Sequence, residues 1–418
     1  MSSFEWHPSE PPPQIEPHSK AKLEVLRRYI QEYFDKLNVY PQREEFRFDL
    51  IDGFAGGGTF HDGNTEISGT PLVMLEEAEK AEERLNRKRK KQLHINCKFY
   101  FVDKERAHTD HLRKVLRERG YKIDEEKIVV RTGLFENEVK DILRSIKQRQ
   151  PRIGRAIFLL DQTGFSQVEL SLVYRILNEL PAAEVILTFA ADALVNHLAE
   201  TPEMVKAVSP LQLTESYIGD LIQYKERAGG RALVQRTLRN HIRTVTGAEY
   251  DTPFFIRPRE SRRALWFLHL SRHPTARDVM IQLHWDIQNR FEHYGPGDFS
   301  MLGWDALRDS SNLHLFRFGD LDKKQMQDQL LDSLPEKLYS LISEQPITVD
   351  AMRHIFANQT AARFSDLDQI VLQLVREKEF QILDPEGKVR SRLLKHLKPT
   401  DLIALPPTLL LPGFSRIR

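Results

Sequence analysis

Cysteine occurs once in this chain of 418 residues, at Cys97. One thiol excludes an intrachain disulfide framework and cysteine-rich zinc sites, and it suits a reducing compartment, so a cytoplasmic protein with no metal site is expected. Charge of one sign is missing too: the basic and acidic side chains balance to a net +1. Nothing in the overall field draws the chain to a polyanion, and a nucleic-acid surface would have to be a local patch. No run approaches the roughly 20 apolar residues that span a bilayer. The N-terminus carries Pro8, Pro11, Pro12 and Pro13 among polar residues, where a secretory leader would need an apolar core. A soluble protein with no membrane partner is expected, divided into about two or three domains by its length.

What is present is an alternation of strand and helix patterns. Residues 1–18 read as a mobile, proline-rich tail. Ser19 is a candidate cap for a helix whose stripe is Leu23, Leu26, Ile30 and Phe34. Strands are predicted over 46–51, 95–102, 127–130, 155–160 and 184–189, and helices over 70–84, 104–119, 136–148 and 168–180. A late strand is predicted over 265–270. Strands and helices alternating at these lengths imply a doubly wound parallel sheet. The body of the fold is expected over 19–320, with a charged helical insertion at about 192–250, either a simple insertion or a cap over the sheet's carboxyl edge. From about 325 the pattern changes to three helices, at 334–343, 348–357 and 365–378. A strand at 380–383, a tight turn at Asp384-Pro-Glu-Gly387 and a second strand at 388–392 follow. Three helices and a hairpin are the winged-helix arrangement, expected over 325–400, with 401–418 left as a tail.

The most informative stretch is Ile51-Asp-Gly-Phe-Ala-Gly-Gly-Gly-Thr59. Glycines allow positive φ and leave room for a ligand where a Cβ would collide. A strand that ends in such a turn early in a β/α chain is where open α/β sheets bind nucleotide-like cofactors. Gly58-Thr59-Phe60 lacks the lysine of a phosphate-binding loop. The spacing of Gly53, Gly56 and Gly58 is not that of the dinucleotide fingerprint. Asp52 would repel a phosphate but suits an amine or a ribose hydroxyl, which points to S-adenosylmethionine. The candidate cofactor residues are therefore Asp52, Gly53, Phe54, Ala55, Gly56 and Gly58. The alternative is a glycine-rich loop with no ligand.

Asp103 ends the second predicted strand, where a carboxylate can accept both ribose hydroxyls; the alternative is a helix N-cap. It lies about fifty residues beyond Gly53, against about 20 in the dinucleotide fold. Asp161 ends the central strand. Amino-methyltransferases place a short Asp/Asn-Pro-Pro-aromatic turn there, whose polar atoms orient the target amine while its ring stacks on the base. Asp161 and Phe165 are the corresponding candidates, with Gln162 and Thr163 in place of the prolines; Asp161 could equally brace the crevice without chemistry. A cytosine-5 mechanism needs a cysteine nucleophile, and Cys97 lies early in the second strand, away from the place such a nucleophile occupies. Arg87, Lys88, Arg89, Lys90 and Lys91 form a basic run, and Lys388, Arg390 and Arg392 mark the predicted wing; both could lie on DNA or RNA phosphates or be solvated loops. Arg272-His-Pro-Thr-Ala-Arg277 could line the crevice, with His273 as a candidate proton acceptor.

Several of these stretches resemble one family. Ile51-Asp-Gly-Phe-Ala-Gly56 with Gly69-Thr-Pro-Leu72 resembles the "IDGFAGPG … GSPL" signature of the three-Cys-motif partner (TcmP) proteins. Leu160-Asp-Gln-Thr-Gly-Phe-Ser-Gln-Val168 resembles the family's "IDPFGYSQV", Glu184–Asp192 its "EVLLNFMYDA", and Trp266–His273 with Met280 its "YYLIHATNH … M". The matches run in order across residues 20–400. The resemblance implies a Rossmann-like fold of the class I methyltransferase type with a C-terminal winged-helix-like part. It also implies association with a separate protein whose cysteine motif is typical of radical or iron–sulfur chemistry. This chain departs from the signature at Gly57 and Gln162, each standing where the family has proline; the second bears on catalysis more than on cofactor binding.

Two functional expectations follow. The first is an S-adenosylmethionine-dependent methyltransferase acting on a nucleic-acid base. Asp52 would lie near the cofactor's ammonium, Asp103 on its ribose, and Asp161 and Phe165 on the acceptor. The alternative is a non-catalytic adaptor that recruits the cysteine-motif protein to nucleic acid.

Overall fold

The computed structural model describes residues 4–7, 10–227, 230–256, 265–287, 293–294, 315–316, 319–391 and 394–407. In chain order the first part contains α1 (Pro17–Leu37), β1 (Glu45–Asp52), β2 (Thr59–Asp62), β3 (Thr65–Ser68), α2 (Thr70–Asn86), β4 (His94–Asp103) and α3 (Arg106–Glu118). β5 (Ile128–Thr132), α4 (Phe135–Arg149), β6 (Ala156–Leu160), α5 (Leu170–Glu179) and β7 (Ala183–Phe189) follow. Four helices come next, α6 (Ala191–His197), α7 (Pro202–Val208), α8 (Glu215–Lys225) and α9 (Gly230–Thr246). The part closes with β8 (Tyr250–Ile256), β9 (Leu265–Ser271), α10 (Pro274–Ile287) and the short pair β10 (His293–Tyr294) and β11 (Leu315–Phe316).

One sheet organises this part, in the order β5-β4-β1-β6-β7-β9-β8. The first five strands are parallel to their neighbours, and β9 runs antiparallel between β7 and β8. Counted along the chain, the order is third, second, first, fourth, fifth, seventh, sixth, with the seventh reversed. That is the sheet of a class I methyltransferase fold. Strand residues point alternately to the two faces. Phe46 and Phe48 meet Phe34 of α1. Ile51, Phe158 and Leu160 join a core built with α4, α5 and α9. β6 is buried along its whole length, as a central parallel strand must be.

The structure adds to and corrects several expectations. Residues 4–7 and 10–16 are not a free tail: Trp6 and Ile15 are buried, and the chain bridges to β2 at Gln14 and His61. Helix α1 starts earlier than Ser19, with Pro17 in its first turn, where a missing N–H costs nothing. The glycine turn runs into a β2–β3 hairpin with no sequence signal strong enough to predict it. β8 escapes periodicity because it contains Pro253, which an edge strand tolerates. The helical stretch after β7 is present, and Val234, Leu238 and Ile242 of its last helix, α9, pack into the core beside α5.

By internal contacts the described residues divide into two compact units, one running to Tyr294 and including 315–316, the other spanning 319–407. The second contains α11 (Asp320–Ile342), β12 (Ile347–Thr348), α12 (Val349–Ala357), α13 (Phe364–Arg376), β13 (Gln381–Leu383) and β14 (Leu402–Ala404). Its three strands are antiparallel in the order β12-β14-β13. α11 starts well before residue 334 because Pro335 lies inside the helix rather than opening it; Met326, Leu330, Leu334, Leu338 and Ile342 repeat every fourth residue and are buried. The tight turn at Asp384–Gly387 forms, with Gly387 at φ 84°. Beyond it the expected hairpin is short: Leu383 bridges Val389, with Asp384 N–H donating to Lys388 O at 2.8 Å and Arg390 N–H to Ile382 O at 2.7 Å. The ladder is completed by β14, in what was expected to be a tail, because Ile403 can be buried between the two other strands.

Candidate functional site

The chain runs from β1 outward through β4 to β5 and then returns to β6 on the other side of β1, so the sheet reverses its order between β1 and β6. Crevices form at such points beyond the carboxyl ends of the strands. Asp52 pairs in register with Phe101 and with Leu159. Asp52, Asp103 and Asp161 therefore leave neighbouring strands at the same edge. The structure brings all three candidate carboxylates to one place.

The glycine turn lies over this edge. Gly56 and Gly58 have φ of 58° and 86°, where a side chain would be strained. Gly53 N–H donates to Leu159 O and Ala55 N–H to Val102 O, both at 2.9 Å, which ties the turn to the two flanking strands. Phe54 is half-buried, packed against the core. Asp52 is 1% exposed. One of its oxygens accepts the Phe54 N–H at 3.0 Å, and the other, Oδ2, is buried with no hydrogen-bond partner. Burial holds this carboxyl well above its ordinary range, and the nearby Asp161 and Asp103 charges add to the shift. A buried carboxylate oxygen without a donor is suited to receive a cationic or hydroxylic ligand group.

Asp103 is more occupied than the sequence suggests. Its Oδ2 accepts Gly56 N–H at 2.9 Å, and its Oδ1 accepts Glu105 N–H at 2.9 Å and faces His108 Nδ1 at 3.0 Å. Asp103 is thus a brace for the glycine turn and not the N-cap of α3, which is Glu105. Each carboxylate oxygen has a further lone pair, so a ribose hydroxyl can still be accepted.

Asp161 is claimed by a residue that no sequence signal singled out. Lys22 Nζ of α1 lies 2.7 and 2.5 Å from its two oxygens, with the lysine 14% and the aspartate 30% exposed. No periodicity announces this pair, since Lys22 lies on a helix whose crossing of the sheet edge is a tertiary fact. His18, one turn earlier, is held below its ordinary pKa by burial and by the Lys22 charge. Gln162, which stands where proline was expected, closes the turn after β6. Its Oε1 accepts Gln167 N–H and Val168 N–H at 2.8 and 3.0 Å. Phe165 is half-buried against the core.

The Trp6 indole lies on the glycine turn. Its Nε1–H donates to Thr59 O at 2.6 Å, and its ring meets Phe60 and His108 edge-on at 5.2 and 5.0 Å. A Cβ on Gly57 would lie 2.2 Å from its Cγ. Gly57→Ala is therefore expected to expel the indole, read as a red shift of tryptophan emission that is absent when the same change is made in a Trp6→Phe background.

Two expected elements of this unit lie at the opposite edge of the sheet. β9 is antiparallel, so Ser271 pairs with Glu184 at the start of β7 and the 272–277 segment lies at the sheet edge opposite the glycine turn. Exposed His273 caps the turn there through Thr275 N–H and cannot serve this crevice. The basic run leads into the start of β4, also at the far edge, about 25 Å away along an eight-residue strand. Within it Arg89 donates to the carbonyls of Asn38, Tyr40 and Arg43, and Lys91 pairs with Glu44. Arg87, Lys88 and Lys90 are left exposed. In the second unit Arg390 pairs with the buried Asp401, Lys388 is exposed, and Arg392 lies outside the described residues. Among the described residues no helix is long and apolar enough to cross a membrane.

No family model matches the chain, and no curated protein matches it. Among solved structures it is similar to WbdD bound to the kinase inhibitor LY294002, at 11% identity and a TM-score of 0.31, over 60% of this chain and 41% of that one. A second structure, described as the bifunctional kinase-methyltransferase WbdD, gives 12% and 0.31 over 60% and 39%. A putative O-methyltransferase from Klebsiella pneumoniae gives 12% and 0.28 over 62% and 91%. The chain spans about two fifths of the WbdD structures it matches. The order and direction of the strands, not these distant likenesses, identify the fold.

Proposed function

We propose that this protein is an S-adenosylmethionine-dependent methyltransferase of the three-Cys-motif partner kind, acting on a nucleic-acid base. The observation that carries the reading is the unpartnered Asp52 Oδ2, buried beside the glycine turn at the point where the strand order reverses. That oxygen fits the cofactor's ammonium, the Asp103 carboxylate fits its ribose, and the glycine turn allows close approach of its body. The bound cofactor would supply an electrophilic methyl group. The chain's own contribution is alignment: Asp161, through the lone pairs that Lys22 leaves free, orients an acceptor at the end of β6, and Phe165 borders it. Orienting an acceptor needs no covalent chemistry from the protein. We read the second unit as a winged helix that contacts the polymer.

Incubation with labelled S-adenosylmethionine and either DNA or RNA tests this reading. Label transferred to one of them, and lost in Asp161→Asn, is the expected outcome. Cofactor binding with no transfer to either polymer would discard the nucleic-acid target.

One feature favours the adaptor reading. The exposed residues of α13 are Ser365, Gln369, Gln373 and Arg376, with Glu377, Lys378 and Glu379 following. Two cations among two carboxylates leave that face without net positive charge, which suits a protein partner better than a phosphate backbone. Under this reading the unit binds the cysteine-motif protein, and a pull-down of that protein by the full chain, weakened by Gln369→Lys, is the expected result.

A further inference from the structure

Trp6 and Lys22 belong to one N-terminal segment, and between them they cover both halves of the candidate site. Trp6 is 7% exposed, so a surface of the protein receives its ring. That surface is the glycine turn on one side and Phe60 and His108 on the other. A flat aromatic ring, one N–H donating to a backbone carbonyl and apolar walls are also the elements by which a purine is held. Lys22 meanwhile puts an ammonium on both oxygens of Asp161, where an amine acceptor would be held.

We infer that this segment is an intramolecular occupant of the cleft: the Trp6 indole sits where the nucleoside end of an adenosyl ligand would lie, and the ligand must displace it. The inference rests on the adenosyl reading of the cleft given above. Two further observations support it. Gly57 is the residue whose lack of a side chain admits the indole, since a Cβ there would lie 2.2 Å from the Trp6 Cγ. The segment is also fastened locally. Beyond Trp6 and the buried Ile15, it is tied to β2 by Ile15 N–H to His61 O and His61 N–H to Pro13 O, both at 2.9 Å, by Gln14 Nε2 to Asp62 Oδ1 at 3.4 Å, by Phe4 edge-on to Phe60 and by the half-exposed Lys20–Asp62 pair. A ribbon edge whose ties all run to one short hairpin can open locally without disturbing the main sheet. Lys22 stays with α1 when Trp6 leaves, so the nucleoside half opens independently of the acceptor half.

Occupancy by the indole lowers the apparent affinity in proportion to the fraction of molecules that are open. With Trp6 seated in about nine-tenths of molecules, the apparent Kd is raised about tenfold. Calorimetric titration of the full chain with S-adenosylhomocysteine tests this. Trp6→Ala is expected to bind about tenfold more tightly than the wild type. In the wild type, the Trp6 contribution to emission, isolated by subtracting the Trp6→Phe spectrum, is expected to shift to the red on saturation. Equal or weaker binding by a folded Trp6→Ala, or a Trp6 signal that stays buried on saturation, would overturn the inference and leave the cofactor reading standing; the indole would then be packing, or a lid closing over the ligand. Failure of both folded proteins to bind would remove the cofactor reading, and the inference with it.

Discussion

Asp52→Asn is expected to raise the melting temperature and to weaken S-adenosylmethionine binding about ten- to hundredfold, the equivalent of one charge-assisted hydrogen bond of about 1.5–3 kcal/mol. Both effects come from the same oxygen. Asp52 Oδ1 is satisfied by Phe54 N–H, and asparagine can keep that bond. Oδ2 is buried without a partner, so ionisation is costly in the folded protein and cheap in the unfolded chain. The carboxyl's pKa is raised on folding, chiefly by burial and then by Asp161 and Asp103. A group raised in this way contributes stability that is present below its unfolded pKa and lost as pH rises through its folded one. The wild type should therefore fall behind Asp52→Asn increasingly as pH rises from about 5 to about 8, a gap that thermal denaturation at the two pH values measures. Ligand binding runs the other way. An ammonium beside Asp52 favours the ionised form, so wild-type affinity should climb with pH over the same window while that of the variant stays level. A gap in melting temperature that does not change with pH would mean that Asp52 ionises without penalty.

The second large effect lies within the same strand, β1, three residues before Asp52. Arg149→Met is expected to cost about 3–5 kcal/mol, because it leaves a buried carboxylate without its partner. Asp49 is fully buried and is paired with Arg149, which also donates to Asn96 Oδ1 at 2.8 Å. Gln150 Nε2 donates to the second Asp49 oxygen at 2.6 Å. Burial pushes the Asp49 carboxyl up to about 6, with Arg149 and Gln150 pulling it back down. Without the guanidinium the carboxyl must be protonated to stay inside, so the loss should be larger at about pH 8 than at about pH 5. Urea denaturation at both values reads this directly. Replacing both partners, Asp49→Leu with Arg149→Met, should recover most of the loss, since an apolar pair of similar volume avoids the desolvation of two charges. A double variant as unstable as the single one would place the energy in the hydrogen bonds to Asn96 and Gln150 instead.

The two carboxylates on β1 carry opposite lessons. Asp49 faces α4, where the Arg149 guanidinium and the Gln150 amide each take one of its oxygens. Asp52, three residues on, is left half-satisfied at the sheet's carboxyl edge. Natural sequences place unpaired buried charge where a ligand will complete it more readily than in a core. That contrast supports the proposed place of Asp52 in a site and sets Asp49 in the scaffold.

Much of this was legible in the sequence because it is local. Apolar runs and their spacing marked β1, β4, β6 and β7 to within a residue or two at most ends, since strands buried on both faces leave little freedom in composition. The glycine turn is legible through its glycines, of which Gly56 and Gly58 take positive φ. The three candidate carboxylates share one edge because a residue at the end of a parallel strand lies beside the ends of its neighbours. Where local rules compete, the reading slipped: Pro253 hid an edge strand, and Pro335 made the middle of α11 look like its start.

The composition and period of the chain thus determined the class of fold and the candidate carboxylates. Tertiary structure alone decided what those carboxylates touch. Lys22 reaches Asp161 across 139 residues of chain, and Trp6 reaches Gly57 from a segment whose composition reads as a free tail. β9 runs against its neighbours and so carries His273 to the far edge. Periods of two and of 3.6 say which way a side chain faces on its own element. They do not say in which direction that element crosses the sheet, and a long-range contact depends on that direction.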